Sequence, residues 1–111
     1  MRQNKKEQDL YELILKEHVT AVILKRWPYN YHCGFWDKCK PDKNGRQYLI
    51  QLNRTRGVDC GKVTLIHELI HIRDDLDGIE RSNKATEDNT WIFYEKNKRF
   101  VDYLWEKYVN A

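Results

Sequence analysis

The chain has 111 residues, enough for one small domain with a single hydrophobic core. Its 20 basic and 17 acidic residues leave a net charge of +3, a balance that does not suggest nucleic acid as a partner. No stretch approaches the roughly 18 apolar residues of a membrane span, and the first residues lack the apolar core of a signal peptide. A cytoplasmic protein with no membrane partner is therefore expected.

The first half of the sequence predicts a helix followed by strands. Apolar residues recur at helical spacing within residues 5–17, which predicts an amphipathic helix. Residues 19–24 are rich in β-branched side chains, which favours a strand. Residues 42–45 are typical of a turn between two strands. Residues 47–52 are predicted to form the strand after this turn, because their apolar side chains alternate along one face.

The second half predicts two helices. The first covers residues 62–75 and ends at Gly78. Ser82 or Asn83 then caps a long last helix over residues 84–109. The order helix, strand, strand, strand, helix, helix predicts an α+β domain in which an antiparallel or mixed sheet packs on helix 62–75.

The predicted helix 62–75 contains the motif H-E-x-x-H, formed by His67, Glu68 and His71. Two histidines four residues apart lie on one helix face, so both rings can bind one metal ion. Zn²⁺ accepts imidazole nitrogen and is normally four-coordinate, which leaves positions for one more protein ligand and a water. Glu68 adjoins the first ligand, where its carboxylate can take a proton from that water. The motif predicts one Zn²⁺ per chain and hydrolytic chemistry with Glu68 as the general base.

The apolar neighbours of the motif strengthen this interpretation. They surround the helix nearly all round, so it should be buried, and unpaired polar groups in such a helix cost several kcal/mol. A metal ion satisfies both histidines and the carboxylate at once. The alternative is an amphipathic helix that carries these three side chains by chance.

The third zinc ligand is expected among the carboxylates after His71, because the two other histidines, His18 and His32, lie upstream. Glu87 is favoured because it falls sixteen residues after His71 (87 − 71), near the start of the last helix. The loop between leaves room for the chain to double back. Three other carboxylates stay open as alternatives: Glu95, Glu80 and Asp77.

An H-E-x-x-H helix followed by a glutamate on the next helix resembles the gluzincin group of zinc peptidases, and the short chain is similar to their minimal members, the minigluzincins. The resemblance implies a small zincin-like domain over residues 1–111, with a three-stranded sheet backed by an N-terminal helix, an active-site helix and a C-terminal glutamate helix. It implies a zinc-dependent endopeptidase acting on polypeptides, with His67, His71 and Glu87 as metal ligands. Residues 50–53 and 64–71 also resemble SprT-like zinc proteins.

Two further roles follow from these expectations. Tyr94 shares a helix face with Glu87, Thr90 and Trp91 and is predicted to stabilise the oxyanion of the reaction. Strand 47–52 is predicted to pair with an extended substrate as an added strand. The alternative function is a catalytically weak zinc-binding regulatory or interaction protein of the SprT-like type, although a purely structural zinc site has no need of Glu68.

The cysteines, Cys33, Cys39 and Cys60, are most simply reduced thiols in a cytosolic chain. A Cys33–Cys39 disulfide and a second zinc site that includes His32 are the alternatives.

Aromatic residues make up 13% of the chain. One small core is not expected to bury all of the large rings in the second half, so we expect a homo-oligomer that involves the C-terminal helix. The rings in question are Trp91, Tyr103, Trp105 and Tyr108.

Overall fold

The computed structural model describes the backbone of residues 2–109 and the side chains of residues 5–109. Within these residues the chain forms an α+β fold with four α-helices and one three-stranded sheet. No helix in this part of the chain is long and apolar enough to cross a membrane. The elements in chain order are α1 (Arg2–Glu17), β1 (Val19–Lys25), β2 (Gly34–Lys38), β3 (Tyr48–Asn53), α2 (Val58–Asp77), α3 (Asn83–Lys96) and α4 (Lys98–Leu104). A short 3₁₀ turn, Arg54–Arg56, precedes α2, and a π-helical segment, Trp105–Val109, follows α4.

The sheet is mixed and has the strand order β1-β3-β2. β1 runs parallel to β3, with Val22 opposite Ile50, whereas β2 runs antiparallel to β3, with Trp36 opposite Ile50. Both edges of β3 are therefore occupied. The prediction that strand 47–52 pairs with a substrate is wrong, because a central strand has no free hydrogen-bonding edge. β2 and β1 are the edge strands of the sheet.

Helix α2 is buried on most of its circumference, as its sequence predicts. Five of its apolar side chains are at most 1% exposed: Leu65, Ile66, Leu69, Ile70 and Ile72. The sheet contributes Tyr48, Ile50 and Leu52, which alternate along β3 and are all fully buried. Each buried side chain of this size contributes roughly 1.5–3 kcal/mol relative to an exposed one. This core fixes the orientation of α2 about its own axis.

The last helix is shorter than predicted. The pattern of apolar residues continues to Val109, but α3 ends at Lys96, and the backbone of the following residue, Asn97 (φ −133°, ψ 34°), is not helical. The side-chain NH₂ group of Asn97 donates to the carbonyl oxygen of Phe93 at 2.8 Å, and its side-chain oxygen accepts from Gln8 Nε2 at 2.8 Å. Asparagine side chains compete in this way with the backbone bonds of a helix. The N-cap prediction is confirmed, since the Ser82 side chain accepts from the Ala85 amide.

The large rings of the second half divide into two groups. Trp91 and Tyr103 are 45% and 43% exposed, while Trp105 and Tyr108 are half-buried against the core. A homo-oligomer through the C-terminal region stays a prediction.

Gly34, at the start of β2, lies in close contact with both β3 and α2. A Cβ atom at this position would lie 2.7 Å from the Gln51 carbonyl oxygen and 2.8 Å from Thr64 Cγ2. The absence of a side chain therefore lets β2 pass directly beside α2, about one turn before His67.

Gly34→Ala is expected to lower the free energy of unfolding by about 1–3 kcal/mol, because a methyl group placed there must displace backbone or a packed side chain. Denaturant titration measures the change. Asp37→Ala, at an exposed position of the same strand, is the control and should change stability by less than about 0.5 kcal/mol. An unchanged midpoint for Gly34→Ala would contradict the close approach of β2 to α2.

Candidate metal centre

Helix α2 presents His67 and His71 to a cleft on the side of the molecule between β2 and α3. The two Nε2 atoms lie 3.1 Å apart. Two imidazole nitrogens that bind one tetrahedral zinc ion at the usual Zn–N length are roughly 3.3 Å apart. The Trp36 ring of β2 stacks on His71, with centroids 6.2 Å apart and an interplanar angle of 18°. The two nitrogens are at hydrogen-bond distance from each other, and their spacing is close to that of two nitrogens on one zinc ion.

Both histidines lie in surroundings that favour the neutral ring. Partial burial lowers the pKa of His67, although the nearby charge of Glu87 acts in the opposite direction. Burial also lowers the pKa of His71, and the neighbouring His67 lowers it further. Only a neutral imidazole has a lone pair to offer a metal ion. At neutral pH the two rings are therefore in the state needed for binding.

Glu68 is 4% exposed and lines the cleft next to His67. Burial raises the pKa of its carboxyl group to about 8. A carboxyl group with a pKa near neutrality both accepts and returns a proton readily at physiological pH. Since the adjoining residues of α2 are packed in the core, this acid is held in the wall of the cleft.

Glu87 lies beside His67, but on one particular side of the ring. Its Oε1 is 3.2 Å from His67 Nδ1, and its Oε2 accepts from Trp91 Nε1 at 3.1 Å. The ring nitrogen that faces His71 is Nε2, the other one. In the described part of the chain, no three His, Cys, Asp or Glu side chains converge as a complete metal-binding group. Glu87 is a neighbour of the two histidines, but its carboxylate does not face the point between the two Nε2 atoms.

The alternative third ligands lie elsewhere. Glu95 is 61% exposed and near Lys98. Glu80 and Asp77 are exposed residues at the connection between α2 and α3. Among the four carboxylates considered, all within the described residues, only Glu87 lines the cavities that contain His67.

Two cavities meet at the candidate centre. One, of about 530 Å³, extends from His67 and Glu68 towards Trp91 and Tyr94. The other, of about 700 Å³, extends past His71 towards Trp36. His67, Glu68 and Glu87 line both cavities, and Gly34 of β2 borders both. Tyr94 therefore lies in the same cleft as the motif, and the two cavities extend along the edge strand on either side of Glu68.

Two residues near the histidines were not singled out as site residues from the sequence. Trp36 stacks on His71 from β2, and the Thr90 hydroxyl lies 3.4 Å from His67 Nδ1. The sequence does place Thr90 on the same helix face as Glu87 and Tyr94, and hence on the side of α3 that faces the cleft. No local pattern indicates Trp36, because its contact depends on how β2 lies against α2.

The three cysteines do not form the disulfide that was one of the alternatives. All three are free thiols, and the Cys33–Cys39 bridge is wrong. These residues flank β2, so the extended strand holds them about 20 Å apart, far beyond the roughly 7 Å between Cα atoms that a disulfide spans. Cys33 instead approaches Cys60 of α2, with the two Sγ atoms 3.8 Å apart.

An ion pair ties the connection after α2 to the helix itself. Asp74 is 4% exposed and accepts from Arg81 at 2.8 Å and 3.2 Å, and Arg73 Nη2 lies 3.5 Å away. Burial acts to raise the pKa of Asp74, but the Arg81 hydrogen bond and the charges of Arg73 and Arg81 outweigh it, so the pKa lies below its usual value. The pair holds the segment that leads into α3 and hence Glu87.

Asp74→Asn is expected to reduce the free energy of unfolding by about 2 kcal/mol at pH 7. Because the folded-state pKa is depressed, the contribution is fully present above the unfolded value of about 3.9. It is lost as the pH falls through the folded value. The difference between wild type and Asp74→Asn should therefore close as the pH falls below about 4, as urea titrations at several pH values measure. Asp88→Asn, which removes an exposed pair with Lys84, should change little; a gap for Asp74→Asn that persists at the lowest pH would contradict this assignment.

Comparison of the chain with protein-family models, curated proteins and solved structures gave no match.

Proposed function

We propose that the chain is a zinc-dependent endopeptidase of the gluzincin type. The observation that carries the proposal is the pair of Nε2 atoms 3.1 Å apart, with a nearly buried carboxylic acid, Glu68, next to them in the cleft. Two neutral imidazoles and a general base at one point are the chemistry of a hydrolytic zinc site. As a purely structural site, this arrangement would leave Glu68 without a role.

His67 and His71 would hold the ion through their Nε2 atoms. Glu87 is the proposed third ligand, after rotation of its side chain from the Nδ1 side of His67 towards Nε2. Its side chain is 55% exposed, so solvent surrounds much of it and little packing opposes that rotation. When bound, zinc supplies a Lewis acid that activates water and polarises the scissile carbonyl group.

Glu68 is the proposed proton carrier. Its carboxylate would take a proton from the attacking water, and the resulting acid would return that proton to the departing amine. Tyr94, which lines the same cavity as His67, is proposed to donate a hydrogen bond from its phenol hydroxyl to the oxyanion.

The substrate is proposed to pair with the edge strand β2, and not with the central strand β3. β2 is an edge strand of the described sheet, and its residue Gly34 borders the cavities on both sides of Glu68. An extended polypeptide added to this edge would pass between β2 and α3, across the histidine pair. A cleft that continues in both directions accepts the interior of a chain and favours an endopeptidase.

The test of this function is cleavage of an unfolded protein such as casein by the zinc-loaded chain. Glu68→Gln should reduce the rate by about 10²–10⁴-fold and leave the zinc content near one per chain, because glutamine keeps the shape but takes no proton. A chelator should abolish cleavage, and added zinc should restore it. Cleavage by Glu68→Gln at the wild-type rate would overturn the catalytic assignment.

Glu87→Ala should behave differently from Glu68→Gln. Loss of a carboxylate at the metal should weaken zinc binding by more than about 10-fold and should reduce the stabilisation that zinc confers. Competition with a chromophoric chelator measures the first effect, and thermal unfolding with and without zinc measures the second. Glu95→Ala, on the same helix but outside the cavities, is the control. Full zinc binding and full activity in Glu87→Ala would exclude Glu87 as a ligand.

A zinc-binding regulatory or interaction protein of the SprT-like type is the second candidate. It is favoured by one observation, the position of Glu87 at Nδ1 instead of at the point between the two Nε2 atoms. The casein experiment separates the candidates. Intact casein together with one tightly bound zinc per chain would favour the regulatory protein.

A further inference from the structure

Thr90 of α3 contacts His67 across the interface with α2. The residue is fully buried, and its Oγ1 lies 3.4 Å from His67 Nδ1. The same hydroxyl group donates to the carbonyl oxygen of Thr86 at 2.7 Å. A carbonyl oxygen only accepts, so the single hydroxyl proton is committed to Thr86. Towards His67 the Thr90 oxygen therefore acts as an acceptor.

This arrangement determines where a neutral His67 carries its proton. A neutral imidazole has one N–H and one lone pair, and the hydrogen bond at one nitrogen decides which nitrogen has which. Both polar neighbours of Nδ1, the Glu87 carboxylate at 3.2 Å and the Thr90 hydroxyl at 3.4 Å, are acceptors. The proton therefore belongs on Nδ1, and the lone pair on Nε2 faces His71.

The two acceptors differ in their freedom to move. The Glu87 side chain is 55% exposed, whereas Thr90 is enclosed on every side and anchored to Thr86. If Glu87 turns to a metal ion, it leaves Nδ1 and can no longer hold the tautomer. Thr90 stays in place.

We propose that Thr90 is a positioning residue, which keeps the proton of His67 on Nδ1 so that Nε2 remains the metal-binding nitrogen after Glu87 has moved. The proposal rests on the zinc site of the proposed function. Groups that fix the tautomer of a ligand histidine typically change metal affinity by 10–100-fold when they are removed.

The chain contains a matched control for the hydroxyl group. Thr86 lies one helical turn before Thr90 and is also fully buried, and its own hydroxyl has no hydrogen-bond partner within the described residues. Thr86→Val and Thr90→Val thus remove the same group from the same helix in similar surroundings. Only the second removes an acceptor from His67.

The first experiment determines the His67 tautomer by long-range ¹H–¹⁵N NMR of the metal-free protein at pH 8, above the ordinary histidine pKa of about 6.5. In Glu87→Ala, Thr90 is the remaining acceptor, and the Nδ1–H form should persist. In Glu87→Ala/Thr90→Val the spectrum should shift to a mixture or to Nε2–H, and in Glu87→Ala/Thr90→Ser it should return. An unchanged Nδ1–H form in Glu87→Ala/Thr90→Val would overturn the proposal.

The second experiment measures zinc affinity by competition with a chromophoric chelator. Thr90→Val should bind zinc about 10–100-fold more weakly than wild type, while Thr90→Ser and Thr86→Val should stay close to wild type. Equal affinities for Thr90→Val and Thr86→Val would overturn the proposal. If Thr90→Val does not fold, Thr90→Ala removes the same hydroxyl. Neither measurement uses peptide cleavage, so a zinc-loaded protein that fails to cleave casein would refute the endopeptidase while leaving the role of Thr90 open to these two results.

Discussion

The packing of α2 is the constraint on which the rest of the structure depends. Its apolar residues are buried against the sheet on one side and against other helices on the other. A helix held in this way cannot rotate about its axis without exposing core side chains, each worth roughly 1.5–3 kcal/mol. His67, Glu68 and His71 therefore occupy fixed directions at the cleft between β2 and α3.

That position has a consequence for Glu68. An ionised carboxylate in an apolar wall is unfavourable, and burial accordingly raises its pKa to about 8. A pKa closer to neutrality than that of a free carboxyl group suits the proton transfer proposed for Glu68. The burial of Glu68 is thus the physical cause of both the local loss of stability and the proposed chemistry. The packed core around α2 offsets that loss.

The elements of the fold were predictable from the sequence where local pattern determines them. Residues 5–17, 19–24 and 62–75 each match a helix or strand with small differences at the ends. Three features depended on distant contacts. The break at Asn97 involves Gln8 of α1, the central position of β3 depends on which strands pair with it, and Cys33 meets Cys60 because β2 crosses α2. None of these leaves a periodic signal in the chain.

At the candidate site, too, the sequence predicts which residues are neighbours but not the contacts of each nitrogen of the His67 ring. The motif places His67 and His71 on one helix face, and the connection between α2 and α3 is long enough to bring Glu87 near them. That these three residues are neighbours therefore follows from the sequence. Which nitrogen Glu87 meets depends on side-chain rotation and on Trp91, which holds its other oxygen at 3.1 Å. The two nitrogens of His67 have unlike surroundings as a result, with acceptors at Nδ1 and another imidazole nitrogen at Nε2. A proton suits the first environment, and a cation shared with His71 suits the second, which is the asymmetry that a histidine ligand needs.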